Sequence, residues 1–247
     1  MFEKLDPRIF KDPPKEFRGV PFYSVNDKLD LEEISRQIAL LDEAGFGGVF
    51  FHAREGLVTP YLSEEWFRAF ERALEEASKR GMSIWVYDED RWPSGFASGL
   101  VPAEKRDYRP KSLIMLIDNK TFFGEETVAV FKCSRDENWL PKQCHRITSP
   151  ESSSDYIYLS FIMNTASLGE AWFSGLSYVD LLDPDTVKRF IEVAYKPYVD
   201  RFSRYIGRVV PGVFTDEPNI HDSRPRFPNW VKKIPIPPRG PRLPFYA

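Results

Sequence analysis

The stretch DLEEISRQIALLDEAGFGGVFF, residues 30–51, decides the fold class. Asp30 stands where a helix cap belongs, and Glu33 three residues on completes a capping-box pattern. Leu31, Ile34, Ile38 and Leu41 form an apolar stripe at helical spacing, and Gly45 is placed to end the helix in a left-handed turn. Gly48-Val49-Phe50-Phe51 then reads as a short strand buried on both faces, as strands of a parallel sheet are.

The flanks repeat that unit. Upstream, Gly19-Val20-Pro21-Phe22-Tyr23 supplies an earlier strand. Downstream, Ser63 caps a second helix, with Glu64 and Glu65 favourable near its positive end. Phe67, Phe70, Leu74 and Ala77 line one face, Gly81 stops it, and Ser83-Ile84-Trp85-Val86-Tyr87 is the next strand. Strand, helix and strand in this rhythm predict βαβ units and a parallel sheet.

Past Tyr108 the rhythm changes. Ser112 to Ile117, Thr127 to Cys133 and Tyr156 to Met163 read as strands with polar turns between them and no helix. After them Tyr178-Val179-Asp180-Leu181-Leu182 reads as a strand again, and Asp183 caps a helix that starts at Pro184. Pro197 should kink that helix before it runs on to Gly207, and Val209 to Thr215 is the last apolar strand. The expected organisation is therefore 1–107 as first βα units, 108–172 as an inserted β-rich subdomain, and 173–221 as further βα units. An irregular tail over 222–247 carries seven prolines and six basic residues against one acid.

Composition narrows the function. With 34 basic and 37 acidic side chains the net charge is −3, which argues against a nucleic-acid partner. No apolar run approaches the ~20 residues that span a bilayer, so no membrane partner is expected. The start, Met1-Phe2-Glu3-Lys4, lacks a signal-peptide layout, which makes the cytoplasm the default location. Cys133 and Cys144 show no metal-ligand spacing and read as structural thiols. No cofactor is expected.

In parallel α/β folds, functional groups gather where strands end. His52, Arg54 and Glu55 follow Phe51. Asp88, Glu89, Asp90, Arg91 and Trp92 follow Tyr87, Asp180 follows Tyr178, and Asp216, Glu217 and His221 follow Thr215. Carboxylates beside aromatic residues suit hydrolysis of a glycosidic bond, in which one acid protonates the leaving oxygen and a second attacks the sugar or activates water. Glu217 is the candidate catalytic acid or base. His52, Arg54, Asp88, Asp90, Arg91, Trp92, Asp180 and Asp216 are the candidate substrate-binding residues, and the expected partner is an oligosaccharide or glycoside.

Four segments carry a resemblance. They are Ala44 to Arg54, Thr59-Pro60-Tyr61-Leu62-Ser63, Tyr87-Asp88-Glu89-Asp90-Arg91-Trp92-Pro93-Ser94-Gly95 and Phe214-Thr215-Asp216-Glu217-Pro218. Together they resemble the barrel of α-L-rhamnosidase-type glycoside hydrolases, family 106 and its relatives, over roughly residues 18–219. The resemblance implies a (β/α)₈ TIM-type barrel with an inserted subdomain, a glycosidic substrate and a catalytic glutamate at Glu217. Such enzymes are also associated with calcium, for which no loop is visible here, and the expectation is that no metal is bound. Relatives carry a histidine and a glutamate where this chain has Tyr195 and Lys196. They are also longer, so a truncated member with a partial barrel is expected, and its open sheet edges predict self-association.

Two other readings compete. A carbohydrate-binding protein without catalysis would keep the cleft and lack a complete pair of catalytic carboxylates. A metal-dependent hydrolase would use His52, Asp88, Asp216 and His221, but the three histidines show no ligand spacing.

Overall fold

The computed structural model describes residues 6–136 and 140–220, so His221 and the tail over 222–247 lie outside the described residues. It is a mixed α/β structure with two sheets, and the chain divides into two units. The first unit runs up to Val101 and resumes at Asp185–Asn219; the second is built on Pro102–Pro184.

In the first unit a short helix α1 (Pro7–Lys11) precedes strand β1 (Phe22–Asp27). There follow α2 (Leu31–Glu43), β2 (Gly48–Leu57), α3 (Glu64–Arg80) and β3 (Ser83–Tyr87). A short α4 (Leu100–Glu104) follows. After the second unit come α5 (Pro184–Ala194), α6 (Lys196–Phe202) and β8 (Val213–Phe214). The sheet order is β1-β2-β3-β8 and every pairing is parallel. Among the described residues these four strands form an open sheet, and no barrel closes.

Local chemistry explains the helices. The Asp30 carboxylate accepts the Glu33 amide at 2.9 Å, which satisfies one orphan donor of α2. Only half of the expected capping box forms, because the Glu33 side chain turns instead to Arg36 and Gln37 on the next turn. Ser63 caps α3 by accepting the Trp66 amide at 3.2 Å, and Gly81 ends it in the left-handed region at φ 66°. Pro197 does interrupt the helical run: α5 stops at Ala194 and α6 starts at Lys196.

Strand alternation builds two different faces. Val25, Val49, Phe51, Ala53, Ile84 and Val86 point to the helices, where they pack with Ile38, Trp66, Phe70 and Leu74 in one buried core. Phe51 meets the Trp66 and Phe70 rings at 5.1 and 5.3 Å, and the Trp66 indole donates to the Tyr198 hydroxyl at 2.7 Å. Burying each such ring contributes roughly 1.5–3 kcal/mol. The other face carries a second aromatic layer of Phe22, Phe50, Trp85, Tyr87 and Phe214, with neighbouring centroids 5.0–5.9 Å apart. Phe22 remains 51% exposed there.

The second unit holds strands β4 (Lys111–Asp118), β5 (Thr127–Arg135), β6 (Pro141–Ile147) and β7 (Ile157–Thr165). They form an antiparallel sheet in the order β4-β7-β5-β6. Among the described helices none is long and apolar enough to cross a membrane.

Several expectations need correction. Tyr178 to Leu182 is not a strand; Tyr178 is buried against Phe173, and the Asp180 amide bonds to the Tyr108 carbonyl instead of to a sheet. The last strand shrinks to Val213–Phe214 because Pro211 has no N–H to give to a ladder. Strand β2 runs on to Leu57, which places His52 and Arg54 within the strand and not after it. Cys133 and Cys144 are not free thiols: they face each other across β5 and β6, with Cα atoms 4.1 Å apart, and form a disulfide.

Strands β2 and β3 approach so closely at Gly48 that an added Cβ would lie 2.0 Å from the Ser83 hydroxyl and 2.5 Å from its carbonyl oxygen. Gly48→Ala is therefore expected to lower stability by about 1–3 kcal/mol through overpacking. Urea unfolding checks it, and an unchanged midpoint would contradict the close approach.

Candidate functional site

The site grows from the outward face of β1 and β2 and from the segments that follow β3 and β8 in the first unit. Phe22 and Ser24 come from β1, and His52 and Arg54 come from the outward register of β2. Trp92 lies in the loop after β3, and Asp216 and Glu217 follow β8. These seven residues line one cleft of about 400 Å³, within the range of small-ligand sites.

Behind the cleft stands Asp88, fully buried at the end of β3. Its carboxylate accepts three hydroxyls: Ser94 at 2.5 Å, Tyr195 at 2.6 Å and Thr215 at 2.7 Å. Burial pushes the Asp88 carboxyl up, and those three donors pull against it. Ser94 also ties the loop after β3 to the turn after β8. The Asp216 amide donates to Ser94 Oγ at 2.8 Å, and the Ser94 amide donates to the Asp216 carbonyl at 2.8 Å. The Asp216 carboxylate in turn accepts the Tyr87 hydroxyl at 2.5 Å.

The loop after β3 is wrapped around Glu89, which is also fully buried. Its carboxylate accepts the amides of Asp90, Gly95, Phe96, Ala97 and Ser98 at 2.6–3.2 Å. Ala97 and Ser98 sit at φ 49° and 56°, a left-handed conformation that non-glycine residues adopt at a cost. Burial and the Asp90 charge push the Glu89 carboxyl up, while the amides hold it down. Five N–H donors offer no acceptor for a carboxyl proton, so the loop is built around the anion.

His52 is 2% exposed and stacks on the Tyr87 ring at 3.5 Å. Neither ring nitrogen has a hydrogen-bond partner among the described residues. Burial first, and the nearby Arg54 charge second, lower its pKa from 6.5 to about 4, against the opposing pull of Asp216. The imidazole is therefore neutral at neutral pH. The Arg54 guanidinium lies over the Trp92 ring, 4.6 Å from its centroid. Glu217 is exposed on the cleft wall with φ 41°, another left-handed residue.

Of the residues singled out from sequence, the structure brings His52, Arg54, Trp92, Asp216 and Glu217 together. Asp88 does not line the cleft; it braces it. Asp90 and Arg91 pair with each other at 3.1 Å, and Asp90 also accepts the Ser98 hydroxyl at 2.6 Å. Asp180 belongs to the second unit, where it pairs with Lys111 at 3.2 Å. Phe22 and Ser24 were missed. Their signal was period-2 alternation in β1, which puts them beside His52 on the outward face. Among the described residues no group of three or more His, Cys, Asp and Glu is arranged to hold a metal ion.

No family model matches the chain, and no curated protein matches it. Among solved structures the chain is similar to a rhamnosidase from Novosphingobium sp. PP1Y, at 12% identity and a TM-score of 0.36. That match covers 66% of this chain and 27% of the rhamnosidase, so the chain spans about a quarter of that protein's length.

Two outcomes follow from the buried groups. Glu89→Ala strands five amides, and stability should fall by about 3 kcal/mol or more in urea unfolding; a loss within ~0.5 kcal/mol, the range of an ordinary surface substitution, would contradict the amide cage. His52 is neutral in the folded protein, whereas the unfolded chain takes up its proton near pH 6.5. The stability this difference contributes is present above pH 6.5 and is lost as pH falls toward 4. His52→Phe keeps the ring and should flatten that fall between pH 7 and pH 4.5; parallel profiles for the two proteins would sink the assignment.

Proposed function

We propose that this protein binds a glycoside in the cleft of the first unit and cleaves it, with Glu217 handling the proton at the glycosidic oxygen. The observation that carries the reading is the unpartnered, buried and neutral His52 facing that cleft. A neutral imidazole has one donor and one acceptor, and a sugar hydroxyl both gives and takes a hydrogen bond. Leaving both nitrogens unmet in the folded state costs free energy that a hydroxyl-bearing ligand recovers. Phe22 and Trp92 supply apolar surface for the C–H faces of a sugar ring.

Glu217 suits proton transfer because it is the exposed carboxylate of the cleft. Its left-handed backbone is the kind of strain that persists where a side chain must point in a set direction. Hydrolysis needs a second carboxylate, and Asp216 lines the same cleft. The finer reading, an α-L-rhamnosidase-type hydrolase whose parallel strands form part of a (β/α)₈ barrel, is supported by the sequence segments ending at Arg54, Gly95 and Pro218.

One observation favours a second reading, in which sugar is bound and not cleaved. Asp216 already accepts the Tyr87 hydroxyl at 2.5 Å, which ties up an oxygen that a nucleophile or base needs. Turnover of aryl α-L-rhamnosides and a panel of other aryl glycosides, measured beside sugar binding by calorimetry, separates the two. Glu217→Gln is expected to lower kcat by about 10²–10⁴ and leave sugar affinity within a few fold. Binding without turnover in the unaltered protein would establish the second reading, and the absence of both would overturn the glycoside assignment.

A further inference from the structure

The cleft holds one cation whose ligand is not accounted for. Arg54 is half-buried on the cleft wall, with its guanidinium carbon over the Trp92 ring. Arginines elsewhere in this unit mostly find carboxylates: Arg36 with Glu33, Arg72 with Glu32, Arg80 with Glu76 and Arg201 with Glu64. Arg54 has no carboxylate within 4.0 Å and no hydrogen bond among the described residues, although Asp216 and Glu217 line the same cleft. A guanidinium presents a rigid fork of donors that matches a carboxylate with two parallel hydrogen bonds, and its contact with the Trp92 ring restrains it in advance. Little conformational freedom then remains to be lost on binding.

His52 lies two residues before Arg54 on the same outward face of β2, and both line the cleft. One strand thus offers, side by side, a partner for a hydroxyl and a partner for a planar anion. We propose that the glycoside this cleft takes carries a carboxylate, that is, a uronic acid unit, with Arg54 holding the carboxylate and His52 a hydroxyl. This rests on the glycoside reading and adds the substrate class to it.

Calorimetry with glucuronic and galacturonic acid against glucose and galactose, on the whole chain at low salt, tests it. The uronic acids are expected to bind at least about tenfold more tightly than their neutral counterparts, which is about 1.4 kcal/mol. Arg54→Gln should bring that ratio to near one, and Arg54→Lys, which keeps the charge and loses the planar fork, should restore only part of it. Thermal melting of each variant checks that the fold is kept, and the ratio is read within each protein, so a general loss of affinity does not mimic the result. Acetate, which has the charge without the ring, is expected to bind more weakly than either uronic acid; equal affinity would show a plain anion site and overturn the proposal. Neutral sugars binding as well as uronic acids, or an unchanged ratio in Arg54→Gln, would overturn it while leaving the glycoside reading intact. No binding of any sugar would overturn both.

Discussion

The cleft depends on one buried carboxylate. Asp88 sits at the end of β3 with no solvent exposure, and an ion in that position is tolerated only when its oxygens are fully engaged. Three hydroxyls engage them, and they come from three different parts of the unit: the loop after β3, the link between α5 and α6, and the end of β8. Loss of any one leaves charge unmet in a low-dielectric interior, so the three segments are bound to a common position. Ser94 extends the constraint by exchanging two hydrogen bonds with Asp216. The carboxylates that face the cleft are thereby located by one that does not.

Much of this was legible in the sequence where the determinants are local. Caps at Asp30 and Ser63, the stop at Gly81 and the break before Pro197 all act over a few residues, and α2, α3, the start of β2 and β3 fall where those signals put them. The edge strand β6 was not legible. Pro141 to Arg146 is exposed throughout, so it lacks the alternation that burial would impose, and with it went the pairing of Cys133 with Cys144. Tyr178 to Leu182 failed in the opposite way: an apolar run indicates burial, and burial in a packed loop leaves the same signature as burial in a sheet.

The site was half legible for a similar reason. Position at a strand end identified Trp92, Asp216 and Glu217, because chain direction in a parallel sheet fixes which end collects them, whereas His52 and Arg54, expected at an end too, reach the cleft from within β2 by its outward register. It did not separate groups that face a ligand from groups that hold the scaffold. Asp88, Glu89 and Asp90 are consecutive acids, yet the first is a hydroxyl hub, the second an amide cage and the third a partner for Arg91 and Ser98. Those roles are set by what the loop from Arg91 to Ser98 folds back to meet, which no spacing rule encodes.

The outward face of the sheet adds a last consequence. His52 is stacked on Tyr87, Tyr87 on Phe214, and Phe214 against Phe22 and Phe50, so the imidazole belongs to an aromatic layer that excludes water from it. That layer, together with the Arg54 cation, keeps the ring neutral down to about pH 4. A histidine held neutral makes a hydroxyl receptor whose donor and acceptor pattern does not change across the physiological range. The charge beside it on the outward face of the strand is carried by the Arg54 guanidinium. The placing along β2 of a neutral imidazole beside a guanidinium follows from strand alternation and the stacking of rings.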